Sequence, residues 1–147
     1  MYQSNNIRNG NKQIGKVFMK KVWINGCFDV LHHAHFKMIE FASTFGDLLV
    51  IGIDSDKRVK ELKGEGRPFH NQNERKYNLE QIKGVSKVVI FDSSFALEEM
   101  IKSYEPDVFV IGSDYKNKLI VGEQYAKSIV YFNRMKNFST TKILSNE

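Results

Sequence analysis

Asn25-Gly26-Cys27-Phe28-Asp29-Val30-Leu31-His32-His33-Ala34-His35 stands between a short apolar run, 22–25, and an apolar-periodic stretch, 33–45. The run reads as a β-strand and the periodic stretch as an α-helix, so the segment between them is a glycine-containing turn that delivers imidazoles to a helix start. First-turn N–H groups of a helix lack intrahelical partners and lie at the positive end of its dipole. An anion held there gains hydrogen bonds and field together, and the histidines add side-chain donors. The segment therefore reads as a phosphate site. The same residues also have structural readings. Phe28, Leu31, Phe36, Ile39 and Ala42 suit a core, the last three at helical spacing. Asp29 suits a helix cap, and Cys27 a small buried residue rather than a nucleophile. His32 and His35, three residues apart, could share a metal. No second Cys or His cluster follows, His70 being the remaining histidine, and no metal site is assigned.

Outward from this turn, strand and helix signals alternate. Residues 48–54 form a second apolar run, which with 22–25 and 33–45 makes a βαβ unit with a right-handed parallel crossover. The basic stretch 56–67 ends in Gly64-Glu65-Gly66-Arg67-Pro68 and is expected to be at least partly loop. A helix over 73–83 closes at Gly84. Then come a strand at 87–91, a helix at 94–104, a strand at 108–111 stopped by Gly112, a short helix at 123–127, a strand at 129–132 and a helix start at Ser139-Thr140-Thr141. The pattern predicts an α/β domain, a five-stranded parallel sheet with helices on both faces. Residues 1–18, rich in Asn, Gln, Ser, Lys and Arg and without either period, read as a flexible leader to a single domain over 19–147. Met19 offers a second start besides Met1. In open parallel sheets ligands sit beyond the carboxyl ends of the strands where strand order reverses. Residues 26–29, 54–56, 112–115 and 133–134 are expected to converge there.

The chain has 147 residues, 41 % hydrophobic and 27 % charged, proportions of an ordinary globular domain rather than a disordered or membrane-spanning one. Its formal net charge of +5 suits an anionic ligand. An RNA-binding domain fits the charge, but the sequence lacks a basic stripe interleaved with aromatics, so no nucleic-acid partner is expected. One cysteine excludes an intrachain disulfide framework, and no apolar run near the N-terminus reaches the length of a signal segment. The default compartment is the cytoplasm, with no membrane partner.

Gly26, Phe28, Asp29, His32 and His35 match, in order, the signature G-x-F-D-x-x-H-x-G-H, with Ala34 in place of its second glycine. On these residues the sequence resembles the cytidylyltransferase-like nucleotidyltransferases, over about residues 20–144. Asp56-Lys57-Arg58-Val59-Lys60-Glu61-Leu62-Lys63-Gly64-Glu65-Gly66-Arg67-Pro68, then Pro106-Asp107-Val108-Phe109-Val110-Ile111-Gly112-Ser113-Asp114-Tyr115 and Val121-Gly122, look like the bacterial heptose 1-phosphate adenylyltransferases. Arg134 ahead of Ser139-Thr140-Thr141 looks more like the glycerol 3-phosphate cytidylyltransferases, with Met135 replacing a threonine.

The resemblance implies a Rossmann-like nucleotidyltransferase fold. It implies attack of a phosphorylated sugar or polyol on the α-phosphorus of ATP or CTP with release of pyrophosphate, Mg2+ as cofactor, and a homodimer. ATP with a heptose 1-phosphate-like acceptor is the favoured pair, and CTP with glycerol 3-phosphate the alternative. Carried onto this sequence, the catalytic residues are His32, His35, Lys63 and Arg134. Asn25, Gly26, Cys27, Phe28, Ala34, Gly112, Asp114, Tyr115, Ser139, Thr140 and Thr141 would bind nucleotide, and Asp29, Lys60 and Arg75 the second substrate. Taken by themselves, several of these have two readings. Ser139 is a helix cap or a phosphate donor; Lys60 and Lys63 are a solvated helix face or reach the triphosphate. Arg75 forms a surface pair or meets phosphate, while Asp114 and Tyr115 end a strand or contact ribose or metal. In another class altogether, Ala34 is compatible with a nucleotide-binding module that has lost turnover.

Overall fold

The computed structural model describes residues 19–133. Arg134, Ser139, Thr140 and Thr141 lie outside the described residues, as do positions 1–18. Within them five strands, β1 (Lys21–Gly26), β2 (Leu48–Asp54), β3 (Lys87–Phe91), β4 (Val108–Gly112) and β5 (Ser128–Phe132), alternate with four helices, α1 (His33–Ser43), α2 (Asp56–Lys63), α3 (Gln72–Glu80) and α4 (Ser94–Tyr104). All strand pairs are parallel, in the order β3-β2-β1-β4-β5.

Alternation along the strands sorts the side chains onto two faces. Val22, Ile24, Leu49, Ile51, Val108 and Val110 join Ile39 and Ala42 of α1 and Leu79 of α3 in one buried layer. Trp23, Val50, Phe109 and Ile111 join Leu97 and Ile101 of α4 in the other. Helices therefore cover both faces, as the sequence implied. Strand order reverses between β1 and β4, which opens the crevice at their carboxyl ends.

One local expectation is sharpened and three are corrected. The basic stretch after β2, expected to be at least partly loop, is loop from Gly64 onward and a helix, α2, before it. Ser55 caps it by accepting from the Arg58 N–H at 3.2 Å, Asp56 sits in its first turn and Lys60 and Lys63 in its last, and Gly64 at φ 108 ends it. Val59 is the one residue of α2 that is buried, which is why no apolar period betrays the helix. The first helix ends at Ser43 rather than 45, where Thr44 and Phe45 turn back with N–H bonds to the carbonyls of Phe41 and Ala42. Phe36 is exposed: the inward face of α1 runs through Ala34, His35, Ile39 and Ala42, and Phe36 falls outside it. The helix expected at 123–127 is a single 3-10 turn, Glu123–Tyr125, entered through Gly122 at φ 82. A Cβ on Gly122 would lie 2.6 Å from Cδ1 of Ile101.

Candidate functional site

The β1–α1 turn is shaped by Gly26 and Phe28. Phe28 has φ 51, a left-handed conformation that a bulky residue adopts only under constraint. Its ring supplies the constraint: it is buried in the α1-side layer, 5.1 Å from the His35 ring. The ring also lies close over Gly26, where a Cβ would come within 3.1 Å of Cε2 of Phe28. Gly26 thus admits the phenyl ring that holds the turn. His32 is the N-cap of α1, and its backbone N–H donates to Nδ1 of His35 at 3.3 Å while the two rings stack at 3.9 Å.

Two buried charges brace this turn from behind. Asp29 is fully buried and accepts the N–H groups of Phe69 at 2.8 Å and His70 at 2.9 Å, with Nε of Arg67 at 3.3 Å. Burial pushes its carboxyl up, but the His70 and Phe69 N–H groups and the Arg67 guanidinium together hold it below the usual carboxylate range. Arg75, equally buried, donates to four acceptors: the carbonyls of His70 (2.9 Å), Cys27 (3.0 Å) and Asp54 (2.8 Å), and Oδ1 of Asp56 (2.8 Å). One guanidinium thereby ties together the β1–α1 turn, the end of β2, the start of α2 and the segment before α3. This is neither the surface pair nor the phosphate contact that the sequence left open for Arg75.

In front of the turn lies a cleft of about 360 Å³. Asn25, Gly26, Cys27, Phe28 and His35 line it from β1 and α1, Lys63 from α2, and Gly112 and Tyr115 from the end of β4. Of the sequence candidates, these eight are brought together. The other candidates among the described residues lie elsewhere. His32 backs His35, Ala34 is buried in the α1-side core layer, Lys60 and Asp114 are exposed away from the lining, and Asp29 and Arg75 form the braces. Burial pushes the Cys27 thiol up against the lowering pull of Lys63 and Arg75, so it stays protonated at neutral pH and is no nucleophile.

Sequence reading missed Arg58 and the apolar lining. Arg58 pairs through Nε with Oδ1 of Asp54 at 2.8 Å, both side chains lining the cleft. Their spacing of four residues was the available signal. Leu62, Leu119 and Val121 are exposed at the cleft and Leu97 and Ile120 line it as well. The donor set suits an anion: an imidazole, an amide, a guanidinium and an ammonium. Among the described residues no group of three His, Cys, Asp or Glu forms a metal cage, and Asp54 is the carboxylate that lines the cleft. Such a set fits Mg2+ only as it arrives on a triphosphate, keeping water and phosphate oxygens as its main ligands.

Comparison with known proteins agrees with this fold. The model of the cytidylyltransferase-like family matches residues 23–146. Two curated relatives, each named bifunctional protein HldE, are from Campylobacter fetus (40 % identical over 124 residues) and Campylobacter concisus (44 % over 125 residues). The matches cover 84 % and 85 % of this chain but 27 % and 26 % of those proteins, so the chain spans about a quarter of the relatives' length. Among solved structures, a lipopolysaccharide core biosynthesis protein from Thermoplasma volcanium shares the fold with a TM-score of 0.59 at 21 % identity, over 87 % of this chain and 90 % of that one. A protein of unknown function from Archaeoglobus fulgidus shares it at 0.62 and 20 %, over 80 % and 93 %.

Proposed function

Because the chain belongs to the cytidylyltransferase-like family of nucleotidyltransferases, we propose that it transfers a nucleoside monophosphate from an NTP to a phosphorylated sugar, with ATP and a heptose 1-phosphate-like acceptor as the pair. The observation that carries this reading is the His32–His35 stack at the start of α1, with His35 in the wall of a cleft at the β1/β4 switch. An oxygen of the acceptor's phosphate attacks the α-phosphorus. A new P–O bond forms as the α–β P–O bond breaks, and pyrophosphate leaves with the electron pair. An acceptor phosphate that enters as a dianion has no proton to lose, so no general base is required. The work of the site is positioning and charge stabilisation.

His35 serves that work with Nε2–H and Lys63 with its ammonium, while the first-turn N–H groups of α1 face the phosphates. Arg134 and Ser139, Thr140 and Thr141 complete the set by resemblance alone. Mg2+ would arrive on the triphosphate and supply neutralisation of its charge. The proposal includes a cytoplasmic homodimer, and light scattering would test the dimer. Among the described residues no helix is long and apolar enough to cross a membrane.

Arg134 ahead of Ser139-Thr140-Thr141 favours a second reading, CTP with glycerol 3-phosphate. The test is a pyrophosphate-release screen of the four nucleotides against heptose 1-phosphate and glycerol 3-phosphate. Release with ATP and heptose 1-phosphate is expected. Release confined to CTP and glycerol 3-phosphate moves the assignment to the second reading, and nucleotide binding without release from any pair makes the chain a binding module.

A further inference from the structure

We infer that Trp23 and Asp54 preset two donors, the Asn25 amide and the Arg58 guanidinium, as the seat of the acceptor's phosphate group, an assignment that rests on the transferase reading above. Nε1 of the buried Trp23 donates to Oδ1 of Asn25 at 2.8 Å. An indole N–H can only donate, so the oxygen is the end of the amide turned toward Trp23 and the NH2 is the end turned away. Asn25 lines the cleft, and its NH2 takes no partner among the described residues. Chemistry, rather than chance, thus makes this position a pure donor.

Gly52 on the neighbouring strand makes the arrangement possible. It pairs opposite Asn25, and a Cβ there would lie 2.6 Å from Cζ2 of Trp23. The indole therefore occupies the space that any other residue at 52 would fill.

Arg58 is preset in the same manner. Its Nε donates to Asp54 at 2.8 Å, its Nη2 to Oγ of Ser94 at 3.1 Å, and its guanidinium lies 5.5 Å from the Phe91 ring centroid. The Asp54 carboxylate, which would repel an anion, is engaged on that guanidinium. What remains is the Nη1 edge, held in a fixed plane. Asn25 and Arg58 thus offer the cleft donors in fixed orientations, a set that selects an acceptor-rich anion.

Their place on the sheet separates them from the histidines. The bond to Trp23 puts the Asn25 side chain on the α4 side of β1, with Trp23, Phe109 and Leu97, whereas His35 projects from α1 on the other face. The reaction brings two phosphate-bearing substrates to one phosphorus. The fold supplies two donor groups at the carboxyl end of the sheet, the α1 start for the triphosphate and the Asn25–Arg58 pair for the acceptor.

Trp23 is the single tryptophan of the chain, so its emission reports on this seat without turnover. The full chain is titrated with inorganic phosphate, glycerol 3-phosphate and unphosphorylated glycerol. Saturable emission changes with the two phosphates and none with glycerol are expected. Calorimetry on Asn25→Ala and Arg58→Gln should show phosphate binding weakened at least tenfold. Trp23→Phe keeps an aromatic ring and loses the donor. It should weaken glycerol 3-phosphate binding in the wild-type background and add nothing in the Asn25→Ala background, the non-additivity expected of a residue acting through another. Undiminished phosphate binding in folded Asn25→Ala and Arg58→Gln proteins overturns the inference, as does a Trp23→Phe effect that adds fully to Asn25→Ala. Asn25-dependent phosphate binding without pyrophosphate release from any pair supports the seat and overturns the transferase reading alone.

Discussion

The backbone N–H of His32 donates to Nδ1 of His35, and the two imidazole rings stack with their centroids 3.9 Å apart and their planes 23° from parallel. A ring nitrogen that accepts cannot carry the proton of the neutral imidazole, so that proton sits on Nε2 of His35. His32 orients the ring, and His35 stands in the cleft wall.

Removing either ring should therefore act on turnover more than on folding. His32→Ala and His35→Gln are expected to lower turnover by roughly two to four orders of magnitude, the range for donors that meet charge developing in a transition state. Steady-state pyrophosphate release together with a thermal melt checks this. A folded double variant that releases pyrophosphate at the wild-type rate removes the histidines from the mechanism.

Arg75 is predicted to govern stability. Arg75→Met strips donors from three carbonyls and from Asp56, and breaking a buried charged network of this kind costs about 3 to 5 kcal/mol. Arg75→Lys should recover little, because one ammonium cannot span the acceptors that a planar fork reaches. Denaturant unfolding gives the answer, and an unchanged midpoint in Arg75→Met refutes the clamp.

Ala34 packs in the core layer rather than in the cleft wall, so its methyl does not crowd a nucleotide. Ala34→Gly should cost about 1 to 2 kcal/mol, from helix propensity and a lost buried methyl, and leave nucleotide affinity within about twofold. Calorimetric titration with ATP and with CTP measures the second part; a clear gain in affinity would place the methyl in the nucleotide's path.

Asp29 makes stability depend on acid pH. Its folded carboxyl lies below its ordinary value of 3.8, so its contribution is complete above that value and is lost as pH falls through the lower, folded one. At neutral pH Asp29→Asn should be less stable by about 2 kcal/mol, the scale of a hydrogen-bonded charge. The gap between wild type and variant should close as pH drops below the carboxylate range. Urea unfolding from pH 7 to pH 3 checks it, and a gap independent of pH contradicts the assignment.

Elements with a strong local signal were legible in the chain. The strands at 48–54 and 87–91 and the helix at 94–104 have the bounds that periodicity gave them, and the turn after the first strand carries His35 into the cleft. Where one buried residue anchors a charged helix, as Val59 does in α2, periodicity has nothing to report, and Arg58 was lost with it. Asp29 and Arg75 were legible as motif residues but not as braces. A carboxylate or guanidinium has the same local signature whether it meets a ligand or the backbone.

The sequence by itself determined the alternation of strand and helix, the parallel sheet that follows from it, and the histidines at a helix start, because period and turn chemistry act between residues a few positions apart. Only the tertiary structure decided which charges face the cleft and which are consumed in building it. Arg75 meets Cys27 across 48 positions, and Asp29 meets His70 across 41. Whether a polar group keeps its donors for a ligand or gives them to a carbonyl depends on what the fold places against it, and that neighbour is far away in the chain.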